Sequence, residues 1–524
     1  MNIPLTPLRF LRYAEEQFAN RTAIVCGNER FTYKEFATRV NLLAGGLLKR
    51  NVEPGSRIGI LSTNCHRLLE AYYAVLEAGC VLLPLNTRLS AAELAYILND
   101  SGATILFFEE DYRERVEALR EDTPYLETFY PMDGSSDADQ TSEQKSYEGL
   151  IRLGILHRRN IIDLEENELA ELFYTSGTTA APKGVMLSHR NVYLHTLNHC
   201  LTFNTTEALV HLHTIPLFHV NGWGAAHYLY LGAKHVMLKR FSPEAVFKLI
   251  EAEEVTSMAL VPTMAAELVN SPQITRYKLH SLRRIRVGGS APSNMLVREV
   301  EEKLGGVCFG AYGLTEASPS LTTSTVKPGM PIEGEMRLDL QSMSGYPIPG
   351  TELKIIDGAG IKLPHDGISS GELVARSDGV MMNYWNNPSA SAEVLAEGWL
   401  RTGDIATIDP QGYVRIVDRR KDIIISGGEN ISSLELEATI LMHPSVMEVA
   451  VVSIPDSKWG EAPMAFVVLK PDMRCSEDEI VRVCRDRLSH YKAPKVIRFV
   501  PSLPKTGSGK VMKKELRRPF WESC

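Results

Sequence analysis

"RIGILSTNCHRLLEAYYAVLEAGCVLLPLNTRLSAAELAYILNDSGATILFF" (residues 57–108) alternates the short apolar runs RIGILS, VLLPL and ATILFF with amphipathic stretches that begin near Arg67 and Ala91. Short apolar runs without polar alternation are strands buried on both faces, and an intervening helix lets consecutive strands lie parallel. A mostly parallel sheet with helices on its faces follows. YKEFATRVNLLAGGLLKR adds a helix ahead of this stretch, and HVMLK, SMALVP and RRIRVGG resume the alternation after residue 230. The fold class expected is therefore α/β.

The texture then changes twice. After Gly350, TELKIIDGAGIKLP, GELVARS and GYVRIVDRR are short β-rich runs with glycine-containing turns, the pattern of a small antiparallel or barrel-like unit. Beyond Asp422, SSLELEATILMHP and EDEIVRVCRDRLSHY read as helices and VMEVAVVSIP and APMAFVVLK as strands. These make a compact α+β module. The polar stretch DGSSDADQTSEQKS, residues 133–146, is a surface loop by composition.

At 524 residues the chain is long enough for several domains, and 44% hydrophobic with 23% charged residues is an ordinary globular composition. A net charge of −8 argues against nucleic acid as a main partner. Glu15 and Glu16 interrupt the N-terminal pattern too early for a signal peptide, and the most apolar stretches are broken before they could cross a bilayer. Eight scattered cysteines without C-x-x-C spacing suit reduced core thiols. A cytoplasmic protein with no integral membrane segment is expected.

YTSGTTAAPKGV, residues 174–185, has the hydroxyl-rich character of a phosphate-cradling loop. It departs from the nucleotide loop G-x-x-x-x-G-K-[ST]. Counting from Gly177 puts Pro182 at the second glycine and Gly184 at the metal-binding hydroxyl, with Lys183 at the lysine. Thr175, Ser176, Thr178 and Thr179 supply hydroxyls, and Gly177 lets the backbone approach closely. Alone, such a run is as readily a solvated turn as a nucleotide site.

Further motifs follow in order: VGGSAP (287–292), AYGLTEASP (311–319), GWLRTGD (398–404), DRRKDIIISGGENIS (418–432) and PKTGSGK (504–510). With the loop, this ordered set resembles the adenylate-forming superfamily over essentially the whole chain. That superfamily includes acyl-CoA synthetases, luciferases and peptide-synthetase adenylation domains, and the similarity is closest to medium- and long-chain fatty acyl-CoA synthetases. The resemblance implies a large N-terminal domain (1–418) that binds ATP and the acid, a hinge (419–423) and a mobile C-terminal domain (424–524).

The resemblance also implies the chemistry. A carboxylate attacks the α-phosphate of ATP, so cations and N–H donors are needed to bring two anions together. Thr175, Ser176, Gly177, Thr178, Thr179 and Lys183 would hold the β- and γ-phosphates, Thr315 the α-phosphate, and Glu316 would ligate Mg²⁺ through a hard oxygen. Tyr312 would stack on adenine, with Gly289, Ser290, Ala291 and Pro292 on its other side. Asp404, aided by Arg419, would accept the ribose hydroxyls. Lys510 would bridge the acyl carboxylate and the α-phosphate, and Lys421 would be the pivot about which the C-terminal domain rotates. The chain departs from the family at Ala180, where glycine is usual. Alanine disfavours positive φ, so this loop is expected to be stiffer.

The second half-reaction needs a thiol. Residues 480–518 hold twelve Lys/Arg against two Asp/Glu, a surface suited to the phosphates of coenzyme A. Gly427 would let the pantetheine arm pass close to the backbone, and Trp459 lies in the adjoining DSKWGEAP. His219, Trp223 and Gly313 would border the acid, with Trp223 gating the acyl tunnel. The expected activity is an AMP-forming CoA ligase for a medium- to long-chain fatty acid, with ATP, Mg²⁺ and coenzyme A. An aromatic or short-chain acid, or loading of a carrier protein, stays open. A homodimer also stays open.

Overall fold

The structure is a computed structural model that describes residues 3–133, 146–175, 182–219, 229–427, 429–505 and 511–521. Trp223, Lys510 and the loop residues Ser176, Gly177, Thr178, Thr179 and Ala180 lie outside them. The described chain forms two compact units. One comprises residues 1–341, 347–352 and 376–400, and the other residues 342–346, 353–375 and 401–524.

The quoted stretch contributes three adjacent strands to the six-stranded sheet of the first unit. Thr128–Pro131, Ile105–Phe108, Arg57–Leu61, Val81–Pro84, Leu169–Thr175 and Lys183–Ser188 lie side by side in that order. All neighbours are parallel except the last two strands, which form an antiparallel pair. The helices start where side chains can satisfy free N–H groups. Thr32 with Glu35 and Ser90 with Glu93 each form a reciprocal capping box. The consecutive glycines of LLAGGLLK are explained by a close approach: a Cβ on Gly45 or Gly46 would overlap the backbone carbonyl of Ile155 or Leu150. The helix Tyr33–Lys49 thus packs directly on the chain at 150–155.

The same unit carries a nine-stranded sheet. Its strands Lys234–Met237, Val210–His213, Ser257–Leu260, Arg284–Val287 and Val307–Gly313 are parallel neighbours. Ser320–Thr323 runs back antiparallel to Val307–Gly313. On one face Met258, Leu260, Ile285 and Val287 join a core with Val246, Phe247, Val297 and Val300. Each such side chain contributes ~1.5–3 kcal/mol on burial. The opposite face is markedly more polar.

The second unit contains the β-rich segment and the α+β module. Trp399–Ile408 pairs antiparallel with Val414–Arg419 in a five-stranded sheet. In the C-terminal sheet, Val446–Asp456 and Gly460–Leu469 form a long antiparallel pair, and Val496–Phe499 adds parallel to the latter. Ile424, Ile431, Leu436, Ile440, Val467 and Ile480 fill the core beneath it. Residues 401–423 group with the C-terminal residues in this division. Among the described residues no helix is long and apolar enough to cross a membrane.

Candidate active site

In parallel sheets, ligands bind at the carboxyl ends of the strands. Two of the sequence motifs lie there. Gly288–Pro292 follows the strand Arg284–Val287, and Leu314–Ala317 follows its neighbour Val307–Gly313. Gly289 has φ +87°, a left-handed conformation that glycine adopts without strain. Ser290 and Ala291 are exposed while Pro292 is buried. Gly313 is needed for a different reason: a Cβ there would overlap the Pro319 carbonyl, where the chain doubles back on itself. Tyr312 and Thr315 flank it, both partly buried.

The phosphate loop springs from the tip of a β-hairpin. Leu169–Thr175 and Lys183–Ser188 pair antiparallel, with Thr175 opposite Lys183 at the mouth. A third stretch, 382–385, clamps the hairpin: Met382 N donates to Met186 O at 2.9 Å and Trp385 N to Gly184 O at 2.7 Å. This brings Tyr384 to the mouth. Its hydroxyl donates to Glu316 Oε1 at 2.8 Å, and Lys183 Nζ lies 5.0 Å from its ring centroid. Burial, then the Glu316 charge, pushes the Tyr384 phenol well up, so it stays a donor. Met381 N fixes the Glu316 carbonyl at 2.9 Å. Lys183, Glu316 and Tyr384 thus form one cluster. Sequence reading found the first two and missed the tyrosine, whose local signal, MMNYW, marks only a strand-like run.

Glu316 offers a hard carboxylate oxygen beyond the one bonded to Tyr384, a donor type that suits Mg²⁺, which takes one or two carboxylates and completes its shell with water and phosphate oxygens.

The turn before His219 is pinned by a residue from another strand end. Asn64 Nδ2 donates to the carbonyls of His213 and Ile215, both at 3.0 Å, and its Oδ1 accepts from Leu217 N at 2.7 Å. Asn64 was also missed from sequence. Burial, and then Arg88, lower the His219 pKa to about 4, so its imidazole is neutral near pH 7.

In the second unit Asp404 is 2% exposed and sits opposite Arg419 in the ladder, with Arg419 Nε 2.6 Å from Asp404 Oδ1. Lys421 follows, its pKa lowered chiefly by burial. Gly427, at φ +61°, donates its N–H to Trp459 O at 2.8 Å, and a Cβ there would come within 2.8 Å of the indole. Gly427 and Trp459 are therefore one feature. Asp418 accepts from Ser433 N and Oγ at 2.5 and 2.7 Å, Ser433 Oγ receives Lys513 Nζ at 2.6 Å, and Lys513 pairs with Glu437 at 2.7 Å. Lys505 bridges to Val511 across the strand-like base of the segment that carries Lys510, and pairs with Glu448 at 2.7 Å.

The AMP-binding enzyme family matches residues 11–385, and the AMP-binding enzyme C-terminal domain matches residues 435–510. The peroxisomal butyrate–CoA ligase AAE11 of Arabidopsis thaliana is 36% identical, covering 98% of this chain and 93% of that protein. The medium-chain-fatty-acid–CoA ligase of Ectopseudomonas oleovorans is 35% identical, covering 94% and 91%. Among solved structures, the anthranilate CoA ligase AuaEII in complex with anthranoyl-AMP superposes with a TM-score of 0.90 at 26% identity, covering 99% of this chain and 98% of that one. Two domain matches in the order of the sequence motifs, with whole-length similarity, place the chain in the AMP-binding enzyme family as an acid–thiol ligase.

Proposed function

We propose that the protein is an ATP-dependent acyl-CoA ligase that forms an acyl-AMP and then transfers the acyl group to coenzyme A, releasing pyrophosphate and AMP. The observation that carries this reading is the cluster of Lys183, Tyr384 and Glu316 at the mouth of the phosphate-loop hairpin. It places an ammonium and a carboxylate around one loop, the charge pattern a polyphosphate with its cation requires.

Thr175 and Lys183, with Ser176, Gly177, Thr178 and Thr179, hold the phosphates that leave, and Thr315 the α-phosphate. Glu316 would hold Mg²⁺, which neutralises phosphate charge when bound. Tyr384 engages one Glu316 oxygen, which leaves the other as the one that would hold the ion. Tyr312 and the 289–292 turn take the adenine, and Asp404, aligned by Arg419, takes the ribose. Lys510 neutralises charge as the acid attacks. Rotation about Lys421 then exchanges Lys510 for the Gly427–Trp459 face, where coenzyme A enters.

For the acid, an aliphatic chain of short to medium length is the first reading, supported by the butyrate and medium-chain ligases at 36% and 35% identity. The longer chain expected from sequence rests on Trp223. An aromatic acid is the second reading, supported by the fold-wide match to the anthranilate ligase. AMP release measured with ATP, coenzyme A and butanoate, octanoate, dodecanoate or benzoate tests this. Release should require both acid and coenzyme A, and acid-dependent release that ignores coenzyme A would overturn the ligase reading.

A further inference from the structure

Side chains alternate across the phosphate-loop hairpin, so its two faces meet different neighbours. Phe173, Val185 and Tyr384 belong to one core, and Thr175 and Lys183 continue that face to the mouth. Leu172, Tyr174 and Trp385 pack on the other side, with Leu94 and Leu98 of the helix Ala91–Ser101. The Tyr174 ring lies against Gly184, where a Cβ would come within 3.0 Å of its Cζ.

The helix ends on the back of the hairpin. Tyr174 Oη donates to Asp100 Oδ2 at 2.5 Å, across 74 positions of sequence. The carbonyl of the same aspartate accepts from Trp385 Nε1 at 2.9 Å and from Asn386 Nδ2 at 3.2 Å. Asp100 therefore holds one arm of the hairpin with its carboxylate and the stretch that carries Tyr384 with its main chain. On the same face of the helix, Tyr96 Oη donates to the Pro182 carbonyl of the other arm at 3.4 Å.

Local preference does not account for this aspartate. A carboxylate in the last turn of a helix is opposed by the negative end of the helix dipole. The anchor point is itself fixed. Gly102, at φ +63°, terminates the helix, and Arg57 donates to the carbonyls of Ser101 at 2.6 Å and Gly102 at 2.8 Å. The Arg57 guanidinium also lies 5.6 Å from the Trp385 ring. Burial, and then the bond to Asp100, hold the Tyr174 phenol far above its ordinary range, so it stays a donor.

We infer that Asp100 is a positioning residue for adenylation. It sets the spacing between the hairpin arm that leads into Thr175 and the stretch whose Tyr384 engages Glu316, and so holds the two sides of the phosphate site to the pyrophosphate that leaves ATP. The inference rests on the ligase reading and adds to it a residue outside the motifs. Asp100 acts only through Tyr174 and the 385–386 stretch, and a hydrogen bond to an ionised acceptor is stronger than a neutral one. The alignment is needed while the phosphates are bound and not after pyrophosphate has left. The two half-reactions therefore separate this role from general stability.

The test measures ATP–pyrophosphate exchange with the acid that best supports AMP release, and thioester formation from supplied acyl-AMP of that acid and coenzyme A. Tyr174→Phe and Asp100→Ala should each raise the KM for ATP and for pyrophosphate about fivefold or more, while the KM for the acid and the thioester rate stay within about twofold of wild type. Asp100→Asn keeps an oxygen that accepts from the tyrosine and should hold both KM values within about twofold. Unchanged KM values for ATP and pyrophosphate in the first two variants, losses of equal size in both half-reactions, or Asp100→Asn as impaired as Asp100→Ala would overturn the proposal and leave the ligase reading intact. A wild-type enzyme with no acid-dependent exchange on butanoate, octanoate, dodecanoate or benzoate would overturn the ligase reading and this proposal together.

Discussion

Tyr384 donates its phenolic hydrogen to Glu316 Oε1 across 2.8 Å, and the two residues are separated by 68 positions in the chain. The bond joins the turn after one sheet to the strand-like stretch that clamps the phosphate hairpin of the other.

Tyr384→Phe removes this donor and keeps the ring beneath Lys183. A hydrogen bond to a charged group is worth ~1.5–3 kcal/mol, so Glu316 loses most of its orientation. ATP–pyrophosphate exchange should fall about tenfold or more, and the Mg²⁺ concentration for half-maximal rate should rise. An unchanged Mg²⁺ dependence would reduce the tyrosine to a packing residue.

Lys513 is held by Glu437 and Ser433, three residues beyond Lys510. Lys513→Met should cut acyl-AMP formation about tenfold while thioester formation from supplied acyl-AMP survives, and Lys513→Arg should restore much of it. Equal losses in the two half-reactions would mean that the pair serves stability alone. Lys510→Ala should produce the same split, larger by orders of magnitude.

Proline fixes φ near −65° and deletes an N–H. Lys421→Pro should therefore block the change in backbone torsions at the proposed hinge. Adenylation should persist while overall acyl-CoA formation drops sharply. A folded variant that completes both steps at normal rates would move the pivot elsewhere.

Buried histidines set a pH limit. Burial depresses His66, His195 and His213 to about 3 and His189 to about 4, against an ordinary value of 6.5. His213 Nε2 and His235 Nδ1 share a hydrogen bond at 2.9 Å, which requires at least one neutral ring. The unfolded chain binds these protons first. The stability they contribute is therefore complete above about pH 6.5 and is lost as pH falls toward about 3, at up to ~1.4 kcal/mol per pH unit for each group. Urea midpoints at pH 7, 6 and 5 should decline in that order, and the loss should shrink in His235→Asn. A midpoint that rises on acidification would contradict the sign.

The sequence by itself determined what is local. Apolar runs with helical stretches between them specified parallel strands at 57–108, the change after Gly350 marked the β-rich segment, and the loops adjoining strand ends carried the family's motifs in order. These features depend on neighbours a few residues away, where side-chain alternation and turn chemistry are legible. Tertiary structure alone decided what meets across the chain. Tyr384 reaches Glu316, Asn64 pins a turn 153 residues later, and Arg286 comes to lie over Phe203. None of these has a periodic or spacing signal, because each contact is made by the packing of separate elements and not by the run of residues in which it sits.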